Sequence, residues 1–132
     1  MRLLLDTHIA LWLLYRDDRL PVAARALFDE PESELVVSVA SLWEIAIKHQ
    51  LDRGKRNDRM PVSGETARVD LEVAGIVLLP ITAVHAVQAG LLPRHHSDPF
   101  DRMLVAQALA EPLRLVTADK ALAAYGEIVI VV

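Results

Sequence analysis

The chain has 132 residues, of which 53% are hydrophobic and 24% charged, so we predict one domain, residues 1–132, with a sizeable core. The absence of cysteine excludes a disulfide framework and a thiolate metal site. A formal net charge of −4 provides no overall basic field for nucleic acid, although acids that bind metal ions do not act as free charges. No stretch approaches the roughly 20 apolar residues of a membrane span, so we expect a cytoplasmic protein.

Strand-like and helix-like runs alternate along the chain. Short apolar runs predict strands over Leu3–Leu5, Leu35–Ser38, Ile76–Leu79, Arg114–Val116 and Ile128–Val131. The helices predicted around them are Ile9–Tyr15, Val22–Phe28, Ser41–Leu51, Val62–Ala74, Ala83–Gly90, Pro99–Ala110 and Lys120–Ala124. This order predicts an α/β fold with a central, mainly parallel sheet covered by helices on both faces.

The first strand ends in an acid, Asp6, which is followed by Thr7. Ligands of open parallel sheets bind beyond the carboxyl ends of the strands, so Asp6 is a candidate metal ligand or catalytic carboxylate. An Asp before a helix is also a common N-cap. Asp6 alone does not decide between the two interpretations.

Glu44 follows the second predicted strand and is open to two interpretations as well. Ser41-x-x-Glu44 has the spacing of a capping box, and Lys48 is placed for an i,i+4 ion pair with Glu44. The alternative is functional, because a side chain in the first turn of this helix projects toward the same sheet edge as Asp6.

Three more acids begin later helices. Asp98 is placed as an N-cap, with Pro99 at the first helical position and Asp101 at the third. Asp101 also lies at the inner rim of an apolar helix face. Asp119 opens a short helix after the fourth strand, where capping and function again both fit.

In a parallel sheet, every turn from a strand into a helix lies at the carboxyl ends of the strands. The N-caps of the helices therefore gather there with or without a functional site, so the convergence of these acids follows partly from the fold. Two observations favour the functional interpretation. Glu44 and Asp101 are predicted to lie within the first turns of their helices, so they are more than simple N-caps. The acids also follow at least three different strands, as a shared cleft requires. Clustered carboxylates repel each other, and a divalent cation relieves that repulsion. Oxygen ligands without cysteine favour Mg²⁺ or Mn²⁺ over zinc, and such a site supports phosphodiester hydrolysis.

The chain resembles the PIN-domain ribonucleases, in particular the VapC-type toxins of bacterial toxin–antitoxin pairs. The resemblance spans essentially the whole chain and is carried by four ordered segments: Leu3-Leu-Leu-Asp-Thr-His8, Ser38-Val-Ala-Ser-Leu-Trp-Glu-Ile-Ala-Ile-Lys48, His96-Ser-Asp-Pro-Phe-Asp-Arg-Met-Leu-Val-Ala-Gln-Ala108 and Leu115-Val-Thr-Ala-Asp119. It implies a three-layer α/β/α fold and a Mg²⁺- or Mn²⁺-dependent endoribonuclease. It also implies a cognate antitoxin and a homodimer. The family's acidic quartet falls on Asp6, Glu44, Asp101 and Asp119, with Asp98 as a further candidate ligand.

The secondary candidates are hydroxyl and basic residues near these acids. The Thr7 and Thr117 hydroxyls are placed to orient a carboxylate, to touch a phosphate or to cap backbone groups. Arg102 is a candidate partner for an acid or a phosphate. A basic run that includes Arg53, Lys55 and Arg56 is interpreted as a solvated helix end or as an RNA phosphate contact.

Four side chains outside the acidic set are expected to have structural roles. His95 and His96 are expected to decorate the loop ahead of Asp98 rather than to bind metal. Trp43 is expected in the core, and Trp12 in the core or a dimer surface.

Two other functions compete with the nuclease. One is a catalytically silent interaction domain, against which the four intact acids argue. The other is a phosphate-accepting receiver module, which needs an acid at the end of a middle strand. We expect Ile76–Leu79 to be that middle strand, and it is followed by Pro80, Ile81 and Thr82 rather than by an acid.

Overall fold

The structure is a computed structural model that describes residues 1–51 and 60–132. Its strands are β1 (Arg2–Leu5), β2 (Glu34–Ser38), β3 (Val77–Leu79), β4 (Arg114–Thr117) and β5 (Val129–Val131). Its α-helices are α1 (Thr7–Leu14), α2 (Val22–Phe28), α3 (Val39–Leu51), α4 (Gly64–Val73), α5 (Ala83–Leu91) and α6 (Pro99–Ala110). A 3-10 helix, Lys120–Tyr125, joins β4 to β5. The five predicted strands are therefore confirmed, each to within one residue at either end.

The five strands form one parallel sheet in the order β3-β2-β1-β4-β5. The chain builds outward from β1 to β3 on one side and then returns to the other side of β1 to build β4 and β5. The strand order therefore reverses between β1 and β4, and the crevice beyond the carboxyl ends of these two strands is the place where open parallel sheets bind ligands.

Helices cover both faces of the sheet, which confirms the predicted three layers. Successive strand residues point to opposite faces. On one face Leu3 and Leu5 pack against Ile9 of α1 and Leu71 of α4. On the other face Leu4 packs with residues of β2, β4, α6 and the 3-10 helix: Val36, Leu115, Leu104, Val105, Ala108 and Leu122. These side chains are all fully or almost fully buried.

The expectation that Ile76–Leu79 forms the middle strand is wrong. β3 lies at one edge of the sheet, and β1 is the middle strand. The receiver module is nevertheless excluded on better grounds, because receivers have the strand order 2-1-3-4-5. The local hydrophobic pattern identified the strand but carried no information about its neighbours.

Helix α3 begins two residues earlier than predicted. The Ser38 hydroxyl accepts a hydrogen bond from the Ala40 backbone N–H at 2.9 Å, so the helix starts directly after β2. This places Glu44 in the second turn, and the expected Ser41–Glu44 capping box is wrong. Helix α4 begins two residues later than predicted, because Ser63 caps it by accepting from the Thr66 N–H.

None of the helices within residues 1–51 and 60–132 has the length and apolar character needed to cross a membrane.

Candidate metal centre

A cavity of about 410 Å³ opens beyond the carboxyl ends of β1 and β4, at the reversal of strand order. Its walls come from the β1–α1 junction, α3, the start of α6 and the segment after β4. All five predicted acids line it: Asp6, Glu44, Asp98, Asp101 and Asp119. His8, Ile9, Trp12, Lys48 and Ala118 complete the described lining.

Asp6 is held by hydrogen bonds to both of its carboxylate oxygens. It caps α1, with Oδ1 accepting from the Thr7 N–H at 2.7 Å, and Oδ2 accepts from the Thr117 hydroxyl at 2.6 Å. Burial raises the pKa of Asp6 despite these hydrogen bonds, and the nearby charge of Glu44 raises it further. The capping and functional interpretations of Asp6 are therefore compatible, since one side chain caps the helix and faces the cavity.

Glu44 is buried, and each of its oxygens has a partner. Oε1 accepts from the Thr7 hydroxyl at 2.6 Å, and Oε2 accepts from the Lys48 ammonium at 2.5 Å. The expected i,i+4 pair is thus present. Burial by itself would lower the pKa of Lys48, but the hydrogen bond and attraction to Glu44 outweigh it and raise that pKa.

Asp98 and Asp101 occupy the predicted positions at the start of α6. Asp98 Oδ1 accepts from the Phe100 N–H at 2.8 Å and from the Asp101 N–H at 3.4 Å, and Pro99 follows the cap. Among the described residues, none donates to the Asp101 carboxylate at comparable distance. This carboxylate is largely buried, and its pKa rises to about 7, first through burial and then through repulsion by Asp6 and Asp98.

Asp119 caps the 3-10 helix and also binds a histidine that sequence reasoning missed. Its Oδ1 accepts from the Ala121 N–H at 3.0 Å, and its Oδ2 lies 2.9 Å from His96 Nε2. The hydrogen bond from His96, followed by that from Ala121, lowers the pKa of Asp119. The expectation that His96 merely decorates its loop is wrong. No spacing rule could have found this pair, because the two residues are 23 positions apart and on different elements.

The two threonines orient carboxylates. The single Thr7 hydroxyl proton is given to Glu44, so the Thr7 oxygen accepts from the Ser41 hydroxyl, which lies 2.9 Å away. The Thr7 and Thr117 side chains are both buried. Of the roles open to them, the structure therefore supports orientation of Glu44 and Asp6. A phosphate contact is not compatible with this burial.

Arg102 points away from the acids, contrary to its prediction as a partner of an acid or phosphate. Its guanidinium donates to the carbonyl oxygens of Ala89, Leu92 and Pro93 at 2.9–3.1 Å, and it does not line the acidic cavity. It therefore holds the connection between α5 and α6.

Other sequence predictions fall elsewhere. Trp43 is 60% exposed and contacts Phe100 edge-on, so its assignment to the core is wrong. Trp12 is partly buried, as expected, and borders the acidic cavity. Arg53, Lys55 and Arg56 lie outside the described residues.

The charge balance of the cavity fits a divalent cation. Five carboxylates face it, and among the described lining residues only Lys48 carries a permanent positive charge. Hard carboxylate oxygens are the ligands of Mg²⁺ and Mn²⁺. The His96, Asp101 and Asp119 side chains also bring potential ligand atoms within 4.8 Å of one another. The residues present therefore match an oxygen-ligated metal centre.

Comparison with known proteins identifies the family of the chain. The PIN domain family model matches residues 3–128. The chain is 31% identical over 119 residues to Ribonuclease VapC22 of Mycobacterium tuberculosis, covering 90% of this chain and 88% of that protein.

Two solved structures share the fold. VapBC2 from Rickettsia felis bound to a promoter DNA fragment matches with a TM-score of 0.66 at 15% identity, covering 100% of this chain and 98% of that chain. A toxin–antitoxin complex from Klebsiella pneumoniae matches with a TM-score of 0.65 at 20% identity, covering 96% and 94% respectively. This chain therefore belongs to the PIN-domain family and is of the VapC type.

Proposed function

We propose that the protein is a divalent-metal-dependent endoribonuclease and the toxin of a toxin–antitoxin pair. The observation that carries this proposal is the convergence of Asp6, Glu44, Asp101 and Asp119 on one cavity at the reversal of strand order. The similarity to a protein named as a VapC ribonuclease supports RNA as the substrate.

In this proposal the four acids hold Mg²⁺, with Mn²⁺ as a substitute, and Asp98 assists from the start of α6. The bound ion supplies Lewis-acid chemistry: it lowers the pKa of a water and stabilises charge on the phosphate and the leaving oxygen. The protein contributes a rigid arrangement of ligands. Thr117 fixes Asp6 and Thr7 fixes Glu44, so the carboxylates need little reorganisation when the ion enters.

Asp101 supplies a carboxylate whose charge depends on the ion. Its pKa is raised to about 7 by burial and by the neighbouring carboxylates, so without an ion this group holds a proton more readily at neutral pH than an ordinary aspartate does. A divalent cation favours the ionised form, so binding releases part of a proton from this group. Cation affinity is therefore expected to rise with pH.

The RNA is expected to cross the mouth of the cavity. Lys48 lies at this mouth with its ammonium on Glu44 and is partly exposed, so it is available to a phosphate. We also assign Arg53, Lys55 and Arg56 to phosphate contacts, on sequence grounds. Such contacts position the RNA and do not select its sequence.

RNA cleavage by purified wild-type protein, Asp6→Asn and Asp101→Asn tests the function. We expect Mg²⁺- or Mn²⁺-dependent cleavage by the wild type, suppression by a chelator, and a loss of at least about 100-fold in each variant, because a neutral amide is a poor ligand for a hard cation. The matched control is Glu30→Gln, which removes the charge of an exposed acid. Glu30 precedes β2 and so lies at the amino ends of the strands, whereas the cavity lies beyond their carboxyl ends. Equal cleavage by all four proteins would contradict the proposal.

The partner of the protein is proposed to be an antitoxin that blocks the cavity. The solved structures with this fold include two VapBC complexes and a further toxin–antitoxin complex, which supports such a partner. We expect a small reading frame directly beside the one that encodes this chain, and co-expression of the two tests the proposed partner. We expect a stable complex with suppressed cleavage, and independent purification of the two proteins would contradict the assignment.

A homodimer is proposed through the outer face of α5. This helix leaves Val84, Val87 and Leu91 exposed by 57%, 63% and 78%, at a spacing that places them along one side. We expect light scattering to give twice the chain mass for the wild type and a monomer for Val87→Glu. A monomeric wild type would contradict the proposed dimer.

A further inference from the structure

His96 lies in the connection between α5 and α6 and contacts two of the clustered acids, Asp119 and Asp101. Its Nδ1 lies 3.1 Å from the Asp98 backbone nitrogen. Its Nε2 lies 2.9 Å from Asp119 Oδ2 and 3.5 Å from Asp101 Oδ2. Both ring nitrogens are therefore engaged, and their partners differ in kind.

The partner of Nδ1 fixes the tautomer of the neutral ring. A backbone N–H only donates, so Nδ1 must accept with its lone pair. A neutral imidazole has one N–H, which must then be on Nε2. The Nε2–H donates to Asp119 at good distance, whereas the contact with Asp101 is beyond the usual range of a hydrogen bond.

From this geometry we infer that His96 is a positioning residue that holds Asp119 through its Nε2–H, and that it is not itself a ligand of the metal ion. This assignment rests on the proposed function for the identity of the ion. A nitrogen that carries a proton has no lone pair to give to a cation, and ligation by Nε2 would move the proton to Nδ1. There it would face the Asp98 N–H, and one of the two donors would lose its partner.

The loop that carries His96 is held firmly enough for this role. Arg102 donates to the Leu92 and Pro93 carbonyls. The Tyr125 hydroxyl accepts from the His96 N–H at 3.2 Å and donates to the Pro93 carbonyl at 2.9 Å. The position of the ring is thus set from two directions, by α6 and by the 3-10 helix that Asp119 itself caps.

Substitutions at His96 distinguish a residue that donates a hydrogen bond to Asp119 from a residue that binds the metal ion. His96→Gln places an amide N–H near the position of Nε2 and keeps a donor for Asp119. His96→Glu offers a ligand oxygen but no donor, and it repels Asp119. His96→Ala removes both functions. We expect calorimetric Mn²⁺ affinity within about threefold of wild type for the Gln variant, a loss of about 10- to 100-fold for Ala, and a loss at least as large for Glu. Retained affinity in the Glu variant with loss in the Gln variant would overturn the assignment.

Long-range ¹H–¹⁵N NMR of the His96 ring in the wild-type protein tests the assignment without any assay of activity. At a pH of about 8, where an ordinary imidazole is neutral, we expect a protonated Nε2 and an unprotonated Nδ1, both before and after saturation with diamagnetic Mg²⁺. A protonated Nδ1 in the free protein, or loss of the Nε2 proton on adding Mg²⁺, would overturn it. If Mg²⁺ and Mn²⁺ both fail to bind, the proposed function fails, and the tautomer of the free protein still decides whether His96 donates to Asp119.

Discussion

At the scale of single residues, the acids of the cavity are distinguished by the groups that hold them. Asp6 and Glu44 are fixed by threonine hydroxyls, Asp119 by His96, and Asp101 by none of these. The three fixed carboxylates each have a side-chain donor, while the pKa of Asp101 is raised to about 7, first by burial and then by repulsion from Asp6 and Asp98.

Thr117 offers a direct test of this positioning. Thr117→Val keeps the shape of the side chain and removes the hydroxyl that donates to Asp6 Oδ2. We expect Mn²⁺ affinity and RNA cleavage to fall by about 10-fold or more, as for other residues that orient metal ligands. Thr117→Ser is the matched control because it keeps the hydroxyl. An unchanged Mn²⁺ affinity in the Val variant would show that this hydrogen bond does not position the site.

The raised pKa of Asp101 predicts a pH dependence of stability in the metal-free protein. The folded protein binds a proton at Asp101 up to a pH of about 7, whereas in the unfolded chain the group loses it near its ordinary value of 3.8. Between these values the folded state binds more protons, so the contribution of Asp101 to stability decreases as pH rises and is most unfavourable above about 7.

Urea unfolding of wild type and Asp101→Asn in a chelating buffer measures this contribution. We expect the variant to gain stability relative to wild type between pH 5.5 and pH 8, by on the order of 1 kcal/mol. A difference in unfolding free energy that is the same at both pH values would contradict the raised pKa.

The acidic residues could be predicted from sequence, but the groups around them could not. Asp6, Asp98, Asp101 and Asp119 each follow a strand or begin a helix, and Glu44 lies in the helix that follows β2, so local patterns reveal all five acids. The hydroxyl that holds Asp6 comes from a residue 111 positions away, and the imidazole that holds Asp119 comes from a different loop. Such pairs depend on which strands are neighbours, and the pattern of a single segment does not contain that information.

At the scale of elements, the bounds of the strands were predictable to within one residue, and the starts of three helices were not. Helix α1 begins at Thr7, two residues before the predicted Ile9, because Asp6 caps it. The capping side chains Ser38 and Ser63 set the starts of α3 and α4, and neither stood out among the other polar residues of the sequence. The early start of α3 turns Glu44 from an expected capping residue into a buried member of the site.

The contact between α3 and α4 depends on a glycine at the first position of α4. A Cβ built on Gly64 comes within 2.7 Å of the Ala46 Cβ, closer than two carbon atoms can approach. Gly64→Ala should therefore lower the free energy of unfolding by about 1–3 kcal/mol. The matched control is Gly90→Ala in α5, where a Cβ meets no atom of the described residues within 4 Å and should add about 1 kcal/mol of stability. Equal unfolding free energies of the two variants would contradict this view of the contact.

At the scale of the whole molecule, the order of the strands creates the site. The chain places β1 at the centre and adds later strands on both of its sides, so the segments after β1 and β4 separate around a crevice. Helices α3 and α6 then bring Glu44 and Asp101 over this crevice. The central position of β1 was not predicted, although the acid at its end was.

A cation that joins these elements should also stabilise the fold. The proposed Mg²⁺ or Mn²⁺ ion would bind the folded protein and would find no assembled site in the unfolded chain, so saturating ion should raise the Tm of the wild type. The Asp101→Asn variant should show a much smaller rise under the same conditions, and differential scanning calorimetry compares the two. Equal rises in both proteins would place the stabilising ion elsewhere.

The position of a bound Mn²⁺ ion tests the central claim most directly. Crystals of the wild-type protein are soaked in Mn²⁺ at a concentration that supports RNA cleavage. The anomalous scattering of Mn²⁺ then distinguishes the ion from the protein atoms in an anomalous difference map. We expect a peak in the cavity, within coordination distance of carboxylate oxygens that include those of Asp6 and Asp101. A map with no peak in this cavity, or with its peaks only at other sites, would show that these acids do not form the metal centre.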